Sequence, residues 1–141
     1  MLNLVTFTDR GQREPRPPRV RLSPNGAIAI NRSAWDLLGD PLPRHFRILF
    51  DLQAEVMALK PTTAHNPLYL YTYAATPIQQ GRAGCELRPT SFWRRCGGVV
   101  TKRYVATPDL IDGALVFSLK GSGVKAGMQR AKHAPLLRAR R

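Results

Sequence analysis

Two segments of this chain spell one pattern. Residues 31–39 read NRSAWDLLG and residues 89–97 read PTSFWRRCG, which lays Ser33 over Ser91, Trp35 over Trp93 and Gly39 over Gly97 at an offset of 58. A strand-like run precedes each copy and two more follow it. Internal duplication limits the possible folds more than any single motif does. Two copies are too few for a solenoid, so the pattern predicts a pseudo-twofold domain in which each half completes the other.

The runs between the copies carry the same order. Residues 1–7 alternate weakly, as an edge strand or a frayed end. Residues 9–18 are rich in Arg, and Pro15, Pro17 and Pro18 favour an extended arm over a helix. Strands are predicted at 19–22 and 27–30, joined by the Ser23-Pro24-Asn25-Gly26 turn. Asn31 or Ser33 then caps a short helix whose apolar face is Ala34, Trp35, Leu37 and Leu38, with Gly39 as its stop. Pro41 and Pro43 bar continuation. Strands at 46–50 and 56–59 flank a turn at 51–55, and 61–67 reads as a connector.

The second half repeats this order: a strand at 69–75 with the highest β-propensity in the chain, a loop at 76–84, and a strand at 85–88. A helix follows, capped by Thr90 or Ser91, carrying Phe92, Trp93 and Cys96, and stopped by Gly97-Gly98. A strand at 99–107, a turn at 108–113 and a strand at 114–119 close the half. The expected fold is mostly β with two short helices, built from two strand-strand-helix-strand-strand halves. A two-turn helix and an isolated pair of hairpins are each marginal alone, so the halves must bury their apolar faces together. The expected organisation is an Arg/Pro-rich arm at 1–18, a first half at 19–61, a connector at 62–68, a second half at 69–119 and a basic tail at 120–141.

At 141 residues, 43% of them hydrophobic, the chain suits one domain with a real core. No apolar run reaches membrane-spanning length, and residues 1–10 lack a signal-peptide pattern. Cys85 and Cys96 form neither a disulfide framework nor a metal-ligand spacing, which suits reduced thiols in a cytoplasmic protein. Charge is unevenly spread. The chain has 22 Lys+Arg against 9 Asp+Glu, a net +13. Residues 9–21 hold five Arg against two acids, and residues 120–141 hold seven basic residues and no acid. Basic ends around a nearly balanced body suit contact with a polyanion, where each cation at a phosphate releases counterions. The alternative is a solubilising role, or contact with an acidic protein surface.

The first copy, GAIAINRSAWDLLG followed by FRILFDLQAEVMALKP, covers residues 26–61 and resembles the swapped-hairpin barrel of AbrB-like transition-state regulators and antitoxins. The second copy, GCELRPTSFWRRCG onward to Leu119, keeps Gly84, Pro89 and Gly97 of the same frame. In that family two identical chains interlock hairpins and present arginines to DNA. The resemblance therefore implies a fused dimer: a pseudo-twofold swapped-hairpin β-barrel made by one chain, monomeric or in a higher homo-oligomer. Family contacts come from a basic pair in the helix and from basic residues on the preceding hairpin. The helix pair falls on Trp35 and Asp36 in the first copy and on Trp93 and Arg94, with Arg95 adjacent, in the second. Arg21 occupies the hairpin position, with Arg19 on the same strand face.

Candidate nucleic-acid contacts are thus Arg19, Arg21, Arg94, Arg95, Lys102 and Arg103, joined by the tail residues Lys125, Arg130, Lys132, Arg138, Arg140 and Arg141. Trp35 and Trp93 either stack on bases or pack in the core. Arg94 and Arg95 either clamp phosphate or lie on a solvated helix face. His45, His65 and His133 have no carboxylate or thiol at a useful spacing. Asp51 and Asp109 share the 58-residue offset but fall in expected turns, where Asp caps the backbone. No phosphate-binding glycine loop is present. The sequence therefore predicts a non-enzymatic protein without metal or cofactor, a regulator of bacterial or phage origin that binds nucleic acid, DNA ahead of RNA. The alternative is a factor that docks on a polymerase, ribosome or virion.

Overall fold

The computed structural model describes residues 16–51, 53–63, 72–96 and 99–124. Along them run β1 (Val20–Leu22), β2 (Ile28–Ile30), α1 (Arg32–Asp36), β3 (His45–Asp51), β4 (Val56–Pro61), β5 (Tyr73–Ala74) and β6 (Thr76–Pro77). A single turn of 3-10 helix (Gln79–Gly81), β7 (Cys85–Leu87), α2 (Thr90–Cys96), β8 (Tyr104–Ala106), β9 (Asp109–Ile111) and β10 (Ala114–Ser118) complete them. The strands form two antiparallel five-stranded sheets, β6-β7-β2-β1-β8 and β5-β3-β4-β10-β9. The architecture is mostly β with two short helices.

The sheets interleave the two sequence halves. Strand β2 pairs with β7, β1 with β8, β4 with β10 and β3 with β5, so four ladders join a strand before residue 62 to one after residue 72. Neither half keeps its backbone satisfied without the other. The core follows from alternation along these strands, with Val20, Leu22, Ile28, Ile30, Phe46, Met57, Leu59, Leu87 and Leu115 all buried. Trp35 and Trp93 are 2% and 7% exposed, so both tryptophans are packing residues.

Local chemistry sets the helix positions. Asn31 caps α1: its Oδ1 accepts from Ala34 N at 3.0 Å and from Arg19 N at 2.9 Å, while its Nδ2 donates to Pro17 O at 2.9 Å. The hydroxyl of Ser33 donates to Arg16 O. Its repeat partner Ser91 hydrogen-bonds the Tyr73 hydroxyl at 2.8 Å. The first helix thus ties down the segment leading into β1, and the second is tied to β5 itself.

Five boundaries differ from the sequence expectation. Residues 99–103 are irregular, and only Tyr104–Ala106 of the expected strand is paired. The expected turn at 108–113 contains β9; the reversal is confined to Asp112 and Gly113, both at positive φ, with Ile111 opposite Ala114. Two residues at positive φ make the tight hairpin turn that matches strand twist, which leaves the residues before them free to pair. The loop expected at 76–84 begins with β6. Helix α2 includes Thr90 and Ser91, and Trp93 N donates to the Pro89 carbonyl at 3.1 Å, so neither hydroxyl residue precedes the helix as its cap. Beyond Leu119, Ser122 and Val124 are fully buried, which carries the packed body to Val124. Residues 69–71 of the expected fifth strand lie outside the described residues. Among the described residues no helix is long and apolar enough to cross a membrane.

Candidate functional site

The turn between β1 and β2 is the centre of the site. Val20 and Leu22 point into the core, so Arg21 between them faces outward, with Arg19 two residues earlier on the same face. Strand β8 lies beside β1, with Tyr104 opposite Leu22 and Val105 opposite Arg21. That register brings Arg103 and Lys102, immediately before β8, to the level of the turn. On its other side the turn meets α2. The Trp93 Nε1–H donates to the Gly26 carbonyl at 2.7 Å, and a Cβ at Gly26 (φ +89°) would lie 3.2 Å from the indole Cδ1. Glycine is required there by backbone conformation and by the approach of the indole.

Between turn and helix lies an open cleft of about 350 Å³, lined by Pro24, Asn25, Gly26, Thr90, Trp93, Arg94, Val99 and Val100. Arg21, Arg94, Lys102 and Arg103 thus gather around one turn. Arg21 is half-buried and the other three are exposed. None of the four side chains has a hydrogen bond or ion pair among the described residues. Other arginines are already engaged: Arg32 pairs with Asp36 at 2.8 Å, and Arg88 with Glu86 at 2.9 Å. In the strands of the β1 sheet, Glu86 is the one acid. Asp51, Glu55, Asp109 and Asp112 all belong to the strands and turns of the other sheet. The acids of the strands and hairpin turns thus fall mainly on the other sheet, which also carries Arg47 and Lys60, while the four cations at the β1–β2 turn have no acidic partner among the described residues.

The remaining sequence candidates distribute differently. Arg19 stands at the far end of β1, its backbone N–H held by Asn31. Arg95 is exposed on α2 but already has an interaction of its own. Lys125, Arg130, Lys132, Arg138, Arg140 and Arg141 lie outside the described residues, as do His65 and His133. Asp51 Oδ1 accepts from Gln53 N and Ala54 N at 3.0 and 3.1 Å, the turn-capping role expected of it. Asp109 is instead the first residue of β9. Among the described residues no group of three His, Cys, Asp or Glu side chains is placed to hold a metal. Cys85 is buried, and burial pushes its thiol up to about 12.

Sequence reasoning missed the cleft itself. The sequence reads Asn25 as a turn residue, Thr90 as a candidate helix cap and Val99 and Val100 as strand, and none of these readings points to a cleft. The one available signal is that Thr90 occupies the repeat position of Arg32, and Arg94 that of Asp36. Comparison of the chain with protein families, with curated proteins and with solved structures finds no match.

Proposed function

We propose that this chain is a non-enzymatic nucleic-acid-binding protein, an AbrB-like barrel made from two fused halves, which contacts phosphates through the cations around its first hairpin turn. The barrel reading is supported by the pairing. In the β4–β10 ladder Ala58 lies opposite Val116, an offset of 58 that equals the spacing of the two tryptophans. That register is the one a twofold relating the two repeats would give, and it supports the reading. The edges of the two sheets are also joined by short links, Ala75 between β5 and β6 and Thr107-Pro108 between β8 and β9. Each link carries the chain from the edge of one sheet to the edge of the other, as the wall of a barrel does.

The observation that carries the function is the set of four unengaged cations, Arg21, Arg94, Lys102 and Arg103, around a turn whose sheet offers one acid, itself paired. An exposed cluster of cations without acidic partners is a ready phosphate contact. The test is a salt titration of duplex DNA binding by the full chain. The four cations by themselves give a log–log slope near −3.6 and roughly a hundredfold loss of affinity between about 50 and 200 mM salt, and the tail cations of the full chain steepen it further. Absence of binding at about 50 mM salt would sink the reading. In that case Leu110 and Ile111, 47% and 49% exposed on edge strand β9, favour docking on a protein partner.

A further inference from the structure

A loop packs on each helix beside its tryptophan, and the space left there is finished differently. Beside α1, the loop after β6, which comes from the second half, packs on the helix: a Cβ at Gly81 would lie 3.7 Å from both Trp35 Cζ3 and Arg32 Nη1. Beside α2, the loop after β1 packs through Gly26 on the other edge of the indole: Trp93 Nε1 donates to the Gly26 carbonyl, whereas Trp35 Nε1 donates to the Pro43 carbonyl at 2.9 Å. The first groove is filled. The Arg32 side chain crosses it, donating from Nη1 to the Gly81 carbonyl at 3.0 Å and from Nε to Asp36 at 2.8 Å. At the repeat position of Arg32 the second half has the short Thr90, and at that of Asp36 it has Arg94. Removing the plug leaves the cleft, and reversing the charge beside it leaves an unengaged cation on the rim.

From this difference, and resting on the nucleic-acid reading above, we infer that the cleft receives an unstacked base of a single-stranded nucleic acid, with Arg94 on its phosphate. The walls match that occupant. Pro24, Val99, Val100 and Trp93 supply apolar surface for the flat faces of a base. The Thr90 hydroxyl and the Asn25 side-chain amide supply polar groups for its edge; Asn25 Oδ1 is held by Ala27 N at 2.9 Å, which fixes the side chain and leaves its Nδ2 to donate. The volume of about 350 Å³ falls at the small end of ligand pockets, the scale of one nucleotide. A duplex keeps its bases stacked and presents only its backbone rod, so it reaches Arg94, Lys102 and Arg103 without entering the cleft. A single strand turns a base outward at little cost, and recognition by splayed bases against apolar and aromatic side chains is the general mode for unpaired strands.

The test is fluorescence anisotropy of the full chain with a labelled oligonucleotide, single-stranded and as the matching duplex, with Thr90→Arg as the decisive variant. Thr90→Arg rebuilds the plug of the first half while adding a positive charge. The expected result is tighter binding of the single strand than of the duplex, and a loss of about fivefold or more in single-strand affinity for Thr90→Arg with duplex affinity unchanged or raised. Single-strand affinity that rises together with duplex affinity in Thr90→Arg overturns the inference and leaves the phosphate reading standing. Failure of the wild-type chain to bind either form overturns both. Circular dichroism melting checks that the variant is folded. Should it not fold, Val99→Lys at a position 66% exposed blocks the same cleft from its outer wall, with the same two outcomes deciding.

Discussion

At Gly84 no side chain fits: with φ +107°, an added Cβ would lie 1.9 Å from the Ile30 carbonyl oxygen and 2.7 Å from Asn31 Cα. Both neighbours are backbone at the end of β2, which cannot yield without breaking the β2–β7 ladder. Gly84→Ala is therefore expected to cost more than about 4 kcal/mol and to abolish cooperative unfolding in urea. Gly39→Ala is the control. Its φ of +94° is unfavourable but nothing lies within 4 Å, so a loss of about 1–3 kcal/mol with retained cooperativity is expected. Both glycines read alike in sequence, one ending a helix and one ending a loop. Only the neighbour across space separates them. Cys85 adds a prediction in pH. Its folded thiol lies near 12 against an unfolded 9.0 because burial disfavours the thiolate. The raised folded value means its contribution is intact below about pH 9 and is lost as pH rises towards 12, since only the unfolded chain releases that proton. Stability measured by urea titration should fall over that window, and Cys85→Ala should flatten the fall. A rise in stability above pH 9 would contradict it.

At the scale of elements, the two helices have the same frame and opposite electrostatics. In α1 the Arg32 charge is neutralised by Asp36 one turn on and its Nη1 is held by Gly81. In α2 Arg94 has no such partner. Arg94→Ala is expected to lower duplex affinity severalfold and to reduce the salt slope by about one, whereas Arg32→Ala leaves the slope unchanged, as followed by anisotropy across a salt series. Equal slopes for the two variants would show that α2 does not touch phosphate. The strands teach a different lesson. Val99 and Val100 have strong β-propensity, yet they pair with nothing and instead line the cleft. Propensity describes a residue, while pairing requires a neighbouring strand in register. Asp112-Gly113 worked the other way: the dipeptide is a strong turn signal, and the structure places the reversal there rather than over the longer stretch from Pro108.

Over the whole molecule, charge and chain order act together. Arg21 lies on β1, Arg94 on α2, and Lys102 and Arg103 just before β8, while Asp51, Glu55, Asp109 and Asp112 lie on the other sheet beside Arg47 and Lys60, so cations collect at the β1–β2 turn away from those four acids. The tail beyond Val124 adds Lys125, Arg130, Lys132, Arg138, Arg140 and Arg141. Replacing these six with Gln in the full chain should weaken duplex binding about tenfold or more at low salt and flatten the salt slope. The effect of Arg94→Ala should persist on that background, because sites without shared partners add. An Arg94 effect that disappears without the tail charges would place the contact on the tail alone. What the sequence determined by itself was local: the repeat, the two short helices and the turn residues. These follow from residue spacing and backbone preference. It left open whether Asn31 or Ser33 caps α1 and whether Trp35 and Trp93 stack or pack. The tertiary structure alone decided which strands pair across the halves, that packing runs to Val124, and that Arg21, Arg94, Lys102 and Arg103 meet at one turn beside an open cleft. Those outcomes depend on contacts between residues some 70 to 80 positions apart, as in Trp93 on Gly26 and Tyr104 beside Leu22. No local pattern encodes such a contact, because the free energy that selects it comes from burying both halves at once.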